Sequence, residues 1–316
     1  MFDPKSFTYA FYQTCVRGVQ QMSPEARKQL SKTTAAMQGP GGFFYGRAGQ
    51  EDLYYTFFGL LLAAVTGAKI RKKECAAKLR PVDFVSLDLV HACAWLRAKK
   101  LLRWLAVPHF LRMMIPVSQG NMFDLLLMKK LQSLPNLPHH TFPQQDADSP
   151  YSRFLLGTLY TDFAQAMPEF DLSAYRLPNG LYTNLKYCGS QCSPPYNEEL
   201  RVALLPYGVN ATAAALFLLP FVPPAQQPGQ CQETADALCA LQEPDGSFKA
   251  AASAPEGDLM STATAAFALQ RCGKVLPVSP KPFLQECFRD NGLFAATPHD
   301  PDGDLEYTAY GLLLMG

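Results

Sequence analysis

The string Asp300-Pro-Asp302-Gly-Asp304-Leu-Glu306 puts four carboxyl groups within seven residues. Carboxylates crowded in this way raise one another's pKa, so Asp302, Asp304 or Glu306 could be held protonated and act as an acid. The same residues have plainer uses. Asp304 sits where a helix N-cap belongs, and Asp302 suits a turn. The Asp-x-Asp-x-Asp spacing also opens a calcium loop, but the remaining ligands and the distal Glu of such a loop are missing.

Aromatic residues gather around Phe43, Phe44, Tyr45, Tyr54, Tyr55, Phe57 and Phe58, with Tyr307, Tyr310 and Phe267 on later apolar segments. Their faces could stabilise a carbocation and shape an apolar tunnel, although core packing accounts for most of them. Tyr54, Tyr55 and Tyr307 fall in first helical turns, which suits them, with Phe58 and Tyr310, to contact a substrate. The densest basic stretch runs Lys69-Ile70-Arg71-Lys72-Lys73. Arg71 and Lys72 could hold a polyanionic phosphate, which needs several cations together. The alternative is a solvated helix end. Arg97, Lys99, Lys100 and Arg103 lie on an amphipathic segment and are expected to face solvent. Cys188 and Cys192 lack further ligands at zinc spacing, and the five histidines show no ligand pattern.

The elements that carry these residues form a degenerate repeat of about 46 residues. Gly41 to Ala64, Asp245 to Leu269 and Asn291 to Met315 each contain a Gly-x-Phe, at Phe43, Phe248 and Phe294. Nine or ten residues later come Asp52, Asp258 and Asp304, then four further on Thr56, Thr262 and Thr308. Two weaker copies carry Tyr182, Asn210 and Ala214, and Phe142, Asp148 and Ser152. A sixth, unmarked unit fits around Trp95 to Leu134. Each Asp should cap a helix that is apolar nearly all round and therefore buried. Amphipathic helices alternate with these, and no run of alternating β-branched residues calls for a sheet. An inner and an outer ring of helices follows, as one domain over 1–316.

Composition narrows the partners. A net charge of +1 argues against an electrostatically driven nucleic-acid binder. The first residues lack the basic-then-apolar layout of a signal peptide, and the Leu53–Ala68 run, about 16 residues, is short for a membrane span. Nine scattered cysteines read as free thiols in a reducing compartment, so the expected location is the cytoplasm.

The segment GGFFYGRAGQEDLYYTFFGLLLA and the DGSF copy resemble the prenyltransferase and squalene oxidase repeats, found in protein prenyltransferase β subunits and class II terpene cyclases. The resemblance implies an α/α toroid of about six helix pairs around an isoprenoid-sized cavity. In the prenyltransferases an Asp-x-Cys pair and the His of an Asp-x-x-His hold zinc. Here those places read Tyr55, Asp258-Leu259-Met260 and Asp304-Leu305-Glu306, so zinc is not expected, and magnesium would enter only with a bound diphosphate. Class II cyclases use an Asp-x-Asp-Asp acid. The nearest strings here are Asp146-Ala147-Asp148 and the Asp300–Glu306 run. The expectation is an isoprenoid-processing enzyme with Asp302, Asp304 or Glu306 as the acid or the diphosphate–metal contact. The alternative is a non-catalytic toroid that binds a lipid or a partner protein. A second subunit is compatible with either.

Overall fold

The computed structural model describes residues 6–110, 149–162, 169–185, 207–222 and 229–316. It is mostly helical. In chain order the helices are α1 (Phe7–Gln21), α2 (Pro24–Ala36), α3 (Leu53–Thr66), α4 (Lys72–Leu79), α5 (Leu89–Trp104) and α6 (Pro150–Asp162), followed by α7 (Val209–Leu218), α8 (Gln230–Cys239), α9 (Leu259–Arg271), α10 (Lys281–Cys287) and α11 (Leu305–Met315). Two antiparallel strand pairs, β1 (Phe44–Tyr45) with β2 (Glu51–Asp52) and β3 (Phe294–Ala295) with β4 (Gly303–Asp304), precede α3 and α11. Two residues per strand are too few for alternation to register, which is why the sequence pattern shows none.

Among the described residues, the repeat is held by a bond set that recurs in four copies. Gly42, Gly180, Gly246 and Gly292 turn the chain with φ between 82° and 100°, a region that excludes most side chains. Two residues on, the aromatic Phe44, Tyr182, Phe248 or Phe294 is buried, and its N–H donates to the hydroxyl of Thr56, Thr212, Thr262 or Thr308 at 2.9–3.0 Å. The same hydroxyl donates to the carbonyl four residues back, that of Asp52, Gly208, Asp258 or Asp304. The expected Asp caps are present: Asp52, Asp258 and Asp304 each accept the N–H three residues ahead at 2.8 Å.

Two copies differ from the sequence alignment. The first is anchored by Phe44 rather than Phe43, because the Gly-Gly-Phe-Phe doublet left the register open by one. In the second, Gly208 and Thr212 take the places assigned to Asn210 and Ala214, because only Thr212 offers the hydroxyl that Tyr182 N–H needs. Before α6, Ser149 exchanges bonds with Ser152, accepting its N–H at 3.1 Å and donating its own to the Ser152 hydroxyl at 3.0 Å. Phe142, Asp146 and Asp148 lie outside the described residues, as do Cys188, Cys192 and most of the unmarked unit.

The chain falls into two compact units: Met1–Phe142, Thr158–Ala166 and Cys287–Gly316, and Pro143–Gly157 with Met167–Glu286. In the first unit α3 packs against α1, α2, α5 and α11, which explains its all-round apolar surface. Arg97 and Lys100 of α5 do not face solvent as expected; they are 6% and 4% exposed. Arg97 Nε lies 3.3 Å from the Asp162 carboxylate, and Lys100 Nζ donates to the Asp162 carbonyl at 2.6 Å. That carboxylate also accepts the Ser6 and Thr8 hydroxyls at 2.6 Å, tying down the start of α1. Burial opposes its charge, but the two cations and the hydroxyls hold Asp162 below its usual pKa. In the second unit α7 packs against α8 and α9 around Tyr182, Phe248 and Ala265, and the Phe154, Phe217 and Phe267 rings form a chain with centroids 5.2 and 5.6 Å apart.

Candidate active site

Two copies of the repeat bring the site together within the first unit. The bond set above places the first turns of α3 and α11 so that residues two and three beyond each cap, Tyr54 and Tyr55 on one helix and Glu306 and Tyr307 on the other, share one cluster. The Tyr54 hydroxyl donates to Glu306 Oε1 at 2.5 Å, and the Tyr55 hydroxyl lies 3.5 Å from Asp304 Oδ2. Phe58, one turn further along α3, stacks edge-on to Tyr54 at 5.1 Å and tilts against Tyr310 of α11 at 6.0 Å. Tyr54, Tyr55, Tyr307 and Tyr310 are half-buried, so parts of their surfaces remain accessible, whereas Glu306 is 8% exposed.

Arg47, in the turn between β1 and β2, closes the cluster. Its Nε lies 2.5 Å from Asp304 Oδ2, its Nη2 lies 2.7 Å from Asp300 Oδ2, and its guanidinium sits 5.0 Å from the centre of the Tyr307 ring. Burial works to raise Asp300, but the hydrogen bond from Arg47, the Asp302 N–H and the charge of Arg47 together hold it below its usual value. The loop carrying Asp300 is held from its other side by Arg289, whose guanidinium donates to the Thr297, Pro298 and Asp300 carbonyls.

Glu306 titrates unlike an ordinary glutamate. Burial pushes its carboxyl up to about 7; the Tyr54 hydrogen bond and Arg47 pull it down, and the charges of Asp304 and Asp52 add to the rise. Near neutral pH the group is therefore shared between acid and carboxylate, which suits proton transfer. Burial, then Asp304 and Glu306, also raise the Tyr55 hydroxyl and keep it protonated.

Of the residues singled out from sequence, Tyr54, Tyr55, Phe58, Asp304, Glu306, Tyr307 and Tyr310 come together. Asp302 does not join them: it is exposed, and its N–H donates to Asp300 Oδ1 in a turn. Arg71 and Lys72 are engaged elsewhere, Arg71 with the Gln38 and Gly39 carbonyls and Lys72 with the Leu105 carbonyl at 3.0 Å. Asp304 is both cap and site residue. Sequence reasoning missed Arg47, whose partners lie 253 and 257 residues away. Its only sequence signal is its place in the turn of the first copy, opposite the acidic turn of the last.

The positions that resemble zinc ligands hold Tyr55, Met260 and Glu306, with neither thiolate nor imidazole, and this donor set does not fit zinc. A pocket of about 370 Å³, lined by Leu172, Arg176, Leu177, Tyr182, Leu219 and Val222 among others, belongs to the second unit and touches none of the cluster. No protein-family model matches the chain, and no curated protein matches it.

Proposed function

We propose that the cluster is a proton-transfer site for an apolar, isoprenoid-like substrate, with Glu306 as the acid. The observation that carries this reading is a buried carboxyl poised at about 7, fixed by the Tyr54 hydroxyl beside three further half-buried tyrosines, Tyr55, Tyr307 and Tyr310. The protonated Glu306 gives its proton to an alkene carbon, and the positive charge that develops faces π-clouds rather than water. Tyr54 orients the carboxyl and, as a donor to it, favours the carboxylate formed after transfer. Arg47 holds Asp304 and Asp300 in place; a magnesium–diphosphate would have to displace it from both. Closure of the helix pairs into a toroid of about six, with the substrate at its centre, belongs to the same proposal.

A second reading, a toroid that binds an apolar molecule or a partner protein without chemistry, is favoured by the double use of Asp304 as cap and as partner of Arg47. Native mass spectrometry of the full chain with prenyl diphosphates and squalene, with and without magnesium, separates the two. A converted isoprenoid supports the enzyme. A retained, unconverted one supports the binder, and no association with any prenyl compound removes the enzyme and leaves only the form that binds a partner protein.

A further inference from the structure

Cys231 and Cys272 approach each other in the second unit with their sulfur atoms 3.8 Å apart. Cys231 lies in the first turn of α8, and Cys272 is the C-cap of α9. Both are half-buried, unlike Cys15, Cys75, Cys93 and Cys287, which are fully enclosed. Closing 3.8 Å to the bonded length of about 2.05 Å requires side-chain rotation at two helix ends, where the backbone has most room to adjust.

We infer that Cys231 and Cys272 are a redox-active dithiol, a modification site that closes to a disulfide on exchange with a low-molecular-weight disulfide such as oxidised glutathione. The Cys231 thiolate attacks one glutathione sulfur, breaking its S–S bond and releasing one glutathione thiolate. Cys272 then loses its proton and attacks the Cys231 sulfur of the mixed disulfide, expelling the second glutathione. Two protein thiols are oxidised, one glutathione disulfide is reduced to two thiols, and the protons lost by the cysteines are taken up by the two leaving groups.

The surroundings assign the roles. Cys272 closes the C-terminal end of α9, where the helix dipole disfavours a thiolate. Burial, then the neighbouring Cys231, push Cys272 up to about 12, while Arg271 and Lys274 pull the other way. Cys272 is thus the slower first attacker and the natural resolving thiol. The bond would link α8 to α9 across 41 residues, a span that includes the Phe248 turn and the Asp258 cap. Oxidation would therefore lock one complete repeat unit without touching the Glu306 cluster.

The test is incubation of the full chain with oxidised glutathione, alkylation of the remaining thiols and peptide mapping without reduction. The expected result is a Cys231–Cys272 cross-link, a protein two hydrogens lighter, and reversal by reduced dithiothreitol. Cys272→Ser should instead trap glutathione on Cys231, and Cys231→Ser should leave Cys272 unmodified. Full alkylation of both cysteines after oxidation, a stable glutathione adduct on the wild-type protein, or cross-links that bypass this pair would each overturn the inference.

Discussion

Replacing Glu306 with Gln should make the protein more stable at alkaline pH and leave it unchanged in acid. The carboxyl has an ordinary value of 4.5 and sits at about 7 in the folded chain. Between these values the folded state binds more protons than the unfolded state, so stability falls as pH rises through that window. At about 1.4 kcal/mol for each pH unit, the full loss above pH 7 is about 3 kcal/mol. Glutamine carries no charge and can still accept from the Tyr54 hydroxyl, so the variant escapes that loss. Urea unfolding of both proteins from pH 4 to pH 9, followed by circular dichroism, isolates Glu306, because every other titrating group is common to the pair. The two stabilities should agree near pH 4 and separate progressively, with the variant ahead by up to about 3 kcal/mol above pH 7. A constant difference across the range would mean that Glu306 titrates as an exposed glutamate does, and the argument from burial would fail.

Other substitutions probe the frame around the site. Tyr54→Phe removes a hydrogen bond that favours the carboxylate, so the Glu306 midpoint, read by carbon-13 NMR of labelled glutamate, should rise further above 7. Thr308→Val leaves the buried Phe294 N–H and Asp304 carbonyl without their bridge and should cost about 2 kcal/mol in urea unfolding, whereas Thr308→Ser should recover most of it. Gly59→Ala should destabilise despite the better helix propensity of alanine, because the new methyl would stand 2.3 Å from the Phe44 ring. The overpacking cost of about 1–3 kcal/mol exceeds the propensity gain of about 1 kcal/mol; equal or greater stability would contradict this. Asp162→Asn keeps the carbonyl that Lys100 bonds but removes the carboxylate that pairs with Arg97 and offsets the charge of Lys100, and should cost about 3–5 kcal/mol in the same assay.

What could be read from sequence was what acts locally. Asp52, Asp258 and Asp304 were recognisable as caps because each bonds an N–H three residues away on its own helix. The bridging role of Thr56, Thr262 and Thr308 was not, since it depends on an aromatic turn 12 or 14 residues earlier folding back onto the helix. Doubled residues blurred register at Gly41-Gly42-Phe43-Phe44, and the long stretch between Tyr182 and Thr212 hid the true cap of α7. The aromatic half of the site was legible because Tyr54, Tyr55 and Tyr307 keep fixed offsets from their caps. Its electrostatic half was not: Arg47 meets Asp300 and Asp304 only through the fold, and the same holds for Arg97 and Lys100 around Asp162. A long-range ion pair leaves no periodic trace in the chain.

The central claim is that Glu306 delivers a proton to carbon, and isotope transfer tests it most directly. The full chain would be incubated in deuterated buffer with the prenyl compound that it converts in native mass spectrometry, beside the Glu306→Gln variant. The account predicts a product from the wild type that carries solvent deuterium on carbon, and none from the variant even though it still binds the substrate. Equal conversion by the two proteins, or a product without carbon-bound deuterium, would contradict it.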